Sequence, residues 1–340
     1  MKAIFGKKDC DIQVLDQPVR DLGPDEVLLK ILACGVCGTD LHFVRRNAEL
    51  TPLGHEIAAE ILECGPMVPA FRPGQTVTAE DNTICGWCPA CKDGHPEKCR
   101  NFYQLNGQAG MAEYLVVNYR ALTPYEGLKP EHACLTEPTT VSYLLCKEAG
   151  IRLGGKVAVM GSGVIGLMCG LMAKRMGASD VALIGGSASS PRGKARLAAA
   201  REMGVDHVLA SSEHEDVAAD VKDLLHGGAD CVILTSPPET LPTAMDMCAH
   251  GGKICVAGID LGPKGKVQVD VDAIVFRKLQ LAGILSEPSL YFPTSVKLLQ
   301  EGLIPAELLV SRVFGFEDAK EVITGNANGT LPIIKAVFMP

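Results

Sequence analysis

The sequence is poor in several things at once. Aromatic side chains make up only 5% of the 340 residues, and the one tryptophan, Trp87, sits in a cysteine-rich stretch, so a flat aromatic pocket is not indicated. Positive charge is also short. There are 32 lysines and arginines against 40 aspartates and glutamates, a formal net charge of −8, which leaves no broad electropositive face for nucleic acid. No long apolar run is present. The longest uncharged stretch, Val157 to Ala173, carries four glycines and is too short and too glycine-rich to span a membrane. Near the start, Lys2, Lys7, Lys8 and Asp9 bracket Ala3-Ile4-Phe5, without the apolar core or small-residue cleavage site of a signal peptide. A cytoplasmic location follows as the expectation, and a reducing compartment favours free thiols or metal thiolates over disulfides.

What remains is an ordinary globular composition, 47% apolar and 21% charged, at a length that implies two domains. Up to about residue 150, short strands alternate with Gly/Pro turns: Glu26 to Leu32, His55 to Leu62, Gln75 to Thr78 and Ala112 to Val117. From about 156 the rhythm becomes strand then helix. Strands are expected at Val157 to Met160, Val181 to Ile184, His207 to Leu209, Cys231 to Leu234, Lys253 to Val256 and Leu279 to Leu285. Helices are expected up to Met176 and from about Lys194 to Met203. Near-continuous apolar strands of this kind form a parallel sheet buried on both faces. The last fifty or so residues return to a turn-rich pattern and end in a strand-like Ile333 to Phe338.

The fourteen cysteines are too many to be incidental. Cys85, Cys88, Cys91 and Cys99 follow a C-x2-C-x2-C-x7-C spacing among turn formers. Four thiolates so placed close a tetrahedral shell round one zinc, and a filled shell is structural. Two disulfides, an iron–sulfur site and a nucleic-acid zinc ribbon are the alternatives. The ribbon is opposed by Asp93 and Glu97, which offset Lys92 and Lys98.

A second, open site is indicated earlier in the chain. Cys37 opens Cys-Gly-Thr-Asp-Leu-His, and His55 follows within Gly54-His55-Glu56. Thiolate and imidazole are a natural zinc pair, and Glu56 or Glu137 could add a carboxylate. Three protein ligands leave one position for a substrate oxygen. Asp40 is expected to accept the other imidazole N–H of His55.

Gly161-Ser162-Gly163-Val164-Ile165-Gly166 directly follows one strand and opens a helix, the setting that makes a G-x-G-x-x-G turn a dinucleotide-phosphate cradle. At the end of the next strand, where an NAD site carries an acid, the chain reads Ile184-Gly185-Gly186-Ser187 and continues to Arg192 and Lys194. Gly186 leaves room, Ser187 offers a donor and Arg192 or Lys194 offers charge, so NADP is expected in preference to NAD.

Together these residues resemble the zinc-dependent medium-chain alcohol dehydrogenase family over essentially the whole chain. Thr136-Glu137-Pro138 stands where ethanol-type enzymes carry a second ligand cysteine, which is similar to the sorbitol and threonine (polyol) dehydrogenase branch. The resemblance implies an α/β protein in which a Rossmann doubly wound parallel sheet domain (148–285) is joined by a mostly β GroES-like catalytic domain (1–147, zinc lobe about 85–99). Residues 286–340 would return to the catalytic domain. It implies one catalytic zinc on Cys37, His55 and Glu56, with Glu137 as alternate, and one structural zinc. It further implies Thr39 and His42 as a proton relay and a homodimer or homotetramer. The substrate would be a small secondary alcohol or polyol and the corresponding ketone. Arg45 and Arg46 leave open an anionic, phosphorylated or carboxylated sugar alcohol. A non-catalytic NAD(P)H-sensing zinc protein would be expected to lack a ligand or relay residue, and none is missing.

Overall fold

The computed structural model describes residues 1–260 and 262–340. They form two compact units, Met1–Thr140 with Ser286–Pro340, and Val141–Leu285. The division falls inside the helix Thr136–Ala149, a few residues before the boundary expected at 147. Among the described residues no helix is long and apolar enough to cross a membrane.

The first unit is mostly β. A seven-stranded sheet runs in the order Leu122–Pro124, Thr76–Ala79, Glu56–Cys64, Glu26–Gly35, Lys335–Phe338, Val310–Phe314, with Tyr114–Asn118 also paired to Glu26–Gly35. Val27, Leu29 and Ile31 alternate inward along the long strand, as the two-residue period of a pleated strand requires. They meet Ile57, Ile61, Leu115 and Phe338 in one core. The terminal strand begins at Lys335, two residues later than the apolar pattern from Ile333 implies. Its four residues are wholly buried, with Val337 opposite Gly35 and Phe338 opposite Cys34.

The second unit is an α/β layer structure. Six strands, β1 (Lys156–Met160), β2 (Asp180–Gly185), β3 (His207–Ala210), β4 (Ala229–Leu234), β5 (Cys248–Val256) and β6 (Gln280–Gly283), are all parallel. Their order is 3-2-1-4-5-6, that of the doubly wound dinucleotide fold. The edge strand β6 is shorter at both ends than the expected Leu279 to Leu285. Helix α1 (Val164–Arg175) follows β1, and α2 (Pro191–Glu202) follows β2. Helix α2 starts three residues before its expected first residue, Lys194. Ser190 caps it by accepting the Gly193 N–H at 3.0 Å, and Pro191 takes the first helical position, where its missing N–H costs nothing. Arg192 is therefore a helical residue, not a loop residue.

Two glycines of the β1–α1 turn are dictated by the packing. Gly161 has φ +123°, and a Cβ there would lie 2.4 Å from Thr235 Oγ1. A Cβ on Gly166 would lie 1.9 Å from the Gly161 carbonyl oxygen, so the helix can approach the strand this closely only without a side chain. Replacing Gly166 by Ala should cost about 1–3 kcal/mol of overpacking, seen as a fall of several degrees in the thermal unfolding midpoint. An unchanged midpoint would contradict this account of the turn.

Candidate active site

Three neighbouring strands make the floor of the site in the first unit. Gly35 ends the strand Glu26–Gly35 and is paired with Glu56 on one side and Val337 on the other. A Cβ on Gly35 would come within 1.9 Å of Glu56 Oε2, so the absent side chain makes space for that carboxylate. Lys335 Nζ enters the same space. It donates to Glu56 Oε1 at 2.6 Å, to Oε2 at 2.7 Å and to the Val36 carbonyl at 3.0 Å. The two side chains are 2% and 1% exposed. Burial works against the Lys335 ammonium, but Glu56 and then Cys37 hold its pKa above the ordinary value.

Two short loops carry the other candidate ligands. Cys37 precedes the helix Gly38–Arg46, and Asp40 in its first turn accepts the Cys37 N–H on Oδ2 at 2.8 Å. Its Oδ1 accepts the Gly54 N–H at 2.9 Å. Gly54 has φ +92°, with Cys34 Sγ and Met111 2.7 Å from where a Cβ would stand, and this turn presents His55. The expected hydrogen bond from His55 to Asp40 is not formed. His55 Nδ1 stands 4.0 Å from Asp40 Oδ1, beyond hydrogen-bonding range, while both carboxylate oxygens accept main-chain N–H groups. Asp40 instead ties the two ligand loops together.

One ligand atom from each of Cys37, His55 and Glu56 lies within 4.8 Å of the others. Thr39 Oγ1 is 3.7 Å from Cys37 Sγ, and half-buried His42 follows one turn later on the same helix face. Glu137 is within electrostatic reach of His55 and Glu56 but lies outside the 4.8 Å set. Burial, with Glu56 and Asp81 adding to it against the pull of His55, pushes its carboxyl up to about 8.

Asp81 is a neighbour that the sequence reading missed. It follows the strand Thr76–Ala79, accepts from Asn82 Nδ2 at 2.9 Å and feels the charge of His55. Burial disfavours the His55 imidazolium, yet Cys37, Asp40 and Glu137 raise its pKa well above the usual histidine value. Four carboxylates and a thiol thus surround one lysine and one imidazole. A sulfur, nitrogen and oxygen donor set of this kind fits zinc, with a fourth position left for a substrate. Arg45 and Arg46 occupy the last turn of the helix Gly38–Arg46, on its exposed side, about 10 Å along the axis from Thr39.

The four-cysteine lobe is a closed shell. Cys85–Cys91, Cys88–Cys91, Cys88–Cys99 and Cys99–Cys85 sulfurs lie 3.9, 3.5, 3.8 and 3.6 Å apart. That brackets the edge of about 3.8 Å for a tetrahedron built on 2.3 Å zinc–sulfur bonds. No pair among them is a disulfide.

In the second unit Gly163 precedes α1 with φ −68°, and nothing stands within 4 Å of where its Cβ would be. The protein itself does not require glycine there. The vacant space beside free main-chain N–H groups at a helix start fits a pyrophosphate. After β2, Ser187 Oγ bonds Ser189 Oγ at 2.8 Å, and Gly186 carries no side chain into the turn. Arg192 has Arg196 one turn on. Burial and then the Arg192 charge lower Arg196 to about 10. Lys194 points away from both, since positions two apart do not share a helix face.

Lys335 and Glu56 furnish a test. In the metal-free protein Lys335→Met strands a buried carboxylate, at a cost of about 3–5 kcal/mol. Bound zinc should offset part of that. Zinc should therefore raise the unfolding temperature of the variant more than that of the wild type, measured by calorimetry with and without chelator. Equal shifts would show that Lys335 and the metal do not share Glu56.

Comparison with known proteins gives the family. Residues 23–127 match the family model of the alcohol dehydrogenase GroES-like domain, and 164–301 match that of the zinc-binding dehydrogenases. L-threonine 3-dehydrogenase of Pyrococcus furiosus is 31% identical over 98% of this chain and 96% of its own. Sorbitol dehydrogenase of Bacillus subtilis is 28% identical over 95% and 92%. Among solved structures, a zinc-binding dehydrogenase of Sinorhizobium meliloti 1021 bound to NADP superposes with a TM-score of 0.84 at 28% identity, covering 100% and 99% of the two chains. The alcohol dehydrogenase of Thermus sp. ATN1 shares the fold with a TM-score of 0.88 at 23% identity, over 100% and 99%. The chain therefore belongs to the zinc-dependent medium-chain alcohol dehydrogenases, enzymes that oxidise CH–OH groups with a nicotinamide coenzyme.

Proposed function

We propose that this enzyme oxidises a small, non-phosphorylated secondary alcohol or polyol with NADP, at a zinc held by Cys37, His55 and Glu56, with Glu137 as the alternate carboxylate. The observation that carries the reading is the three-ligand cluster among surplus carboxylates. Zinc in such a site supplies Lewis acidity, which lowers the pKa of water from about 15.7 to about 7, and the nicotinamide supplies the hydride acceptor. The chain's own residues do the rest. Thr39 accepts the substrate hydroxyl proton and passes it toward His42, since a threonine hydroxyl donates and accepts at once and histidine titrates near neutrality. Asp40 fixes the loops of Cys37 and His55, and Lys335 fixes Glu56. Residues 1–147 and 286–340 take the catalytic role, and 148–285 hold the coenzyme.

Charge decides between neutral and anionic substrates. The groups nearest the ligand cluster, Asp81, Glu137 and Glu56, offer a phosphate no positive charge beyond that already paired with Glu56, and Arg45 and Arg46 lie at the far, exposed end of their helix. Sorbitol, a neutral polyol, is the substrate in one relative's name. Threonine, a zwitterionic hydroxy amino acid with no net charge, is in another's, and Asp81 is the group that would meet its ammonium. In a panel of polyols, amino alcohols and sugar phosphates followed by reduced-nicotinamide absorbance, kcat/KM should favour the non-phosphorylated compounds. A preference for a phosphorylated substrate would contradict the reading.

The choice of NADP rests on the absence of an acid after β2 and on the paired charges of Arg192 and Arg196. Losing one charge-assisted bond costs about 1.5–3 kcal/mol. Arg192→Ala should therefore lower kcat/KM for NADP by about 10- to 150-fold and leave that for NAD nearly unchanged. A wild-type preference for NAD would refute this assignment.

The four-cysteine lobe takes a second, structural zinc. Self-association is supported by the sheet edge of the second unit. Next to β6, the helix Val271–Phe276 leaves Val275 65% and Phe276 78% exposed, a surface suited to a second copy of the chain. Fourteen cysteines with no disulfide among them suit the cytoplasm.

A further inference from the structure

The coenzyme turn lies at the carboxyl ends of the parallel strands of the second unit. A cavity of about 530 Å³ opens at the opposite, amino ends, lined by the glycine-rich turn 150–155, the starts of β1, β4 and β6, and the 250–253 segment of β5. It falls within the size range of small-molecule sites.

Its charge runs against that of the whole protein. Arg152, Lys156 and Lys253 line it, with His250, against one carboxylate, Asp230. Asp230 is already engaged, accepting the Lys156 main-chain N–H at 2.8 Å. Neither ammonium is neutralised by an acid. Lys156 Nζ donates to the His226 carbonyl at 3.1 Å and Lys253 Nζ to the Glu148 carbonyl, bonds that orient each group and leave two N–H donors apiece. Arg152 is exposed, with all five of its donors available. Gly150, Gly154 and Gly251 have φ of +67°, +78° and +81°, and nothing stands within 4 Å of their missing Cβ atoms. No side chain from these turns therefore takes up that space.

We propose that this cavity is a second binding site, separate from the coenzyme turn, for a small molecule carrying two phosphate groups. Arg152 takes one phosphate in the bidentate manner of a guanidinium, and Lys156 and Lys253 take the other as point charges. The spread of three cations over a cavity of this size calls for more than one anionic group, and the screening of such exposed charges by salt makes binding weaken with ionic strength.

The test is calorimetric titration of a hexose 1,6-bisphosphate into the intact zinc-loaded enzyme, saturated with its nicotinamide coenzyme so that the coenzyme turn is occupied. One saturable site per chain is expected, with no binding of the free hexose. Arg152→Gln and Lys253→Gln should each weaken it at least about 10-fold, the loss of one charge-assisted bond. Lys264→Gln, a change at a residue paired with Glu239 away from the cavity, should leave it unaltered. Arg152 is a surface side chain, so its variant folds independently of the proposal, and an unchanged unfolding temperature confirms that. Absence of saturable binding, or equal binding in the Arg152 and Lys253 variants, overturns the proposal.

Discussion

A charged carboxylate, buried and shared, is the constraint on which the catalytic unit depends. Glu56 is 1% exposed and must not be left alone, because an unpaired buried charge costs several kcal/mol. Its partner comes from the other end of the chain. Lys335 reaches it only because Lys335–Phe338 adds to the sheet beside Gly35, and Gly35 has no side chain to obstruct the carboxylate. The return of the last residues to the first unit is thus more than a topological convenience. Both carboxylate oxygens accept from the ammonium, yet each retains a second lone pair, so the pair satisfies Glu56 in the absence of metal and still permits ligation.

The two proposed metal sites differ along the same line. The four cysteines lie within fifteen consecutive positions on one turn-rich lobe and fill their own tetrahedron. Such a site needs nothing from the rest of the chain and gives nothing to a substrate. The open site draws Cys37 and His55 from two loops and Glu56 from a strand, and it needs Asp40 and Lys335 to hold those pieces together.

What was legible in the sequence was whatever is local. The Cys-x2-Cys spacing, Gly54-His55-Glu56 and the glycine turn each carry their chemistry within a few residues. The strand–helix rhythm after residue 156 was enough to anticipate the parallel sheet. What escaped is long-range or depends on where a backbone N–H points. Lys335 is 279 positions from Glu56, and no spacing rule links them. Asp81 reads as a turn residue until the strand Thr76–Ala79 delivers it beside His55. The bonds that Asp40 accepts from the main-chain N–H groups of Cys37 and Gly54 depend on how two loops fold together, which no spacing displays. Arg196 went unnoticed because Ser190 and Pro191 start α2 earlier than its apolar pattern does, which brings Arg192 and Arg196 onto one face.

The central claim is that one chain carries two unlike zinc sites, one open and one closed. X-ray absorption at the zinc edge, together with metal counting on the purified protein, tests it most directly. The account predicts two zinc ions per chain, with a mean sulfur coordination midway between the single thiolate of Cys37 and the four thiolates of the lobe. One zinc per chain with an all-sulfur shell would contradict it.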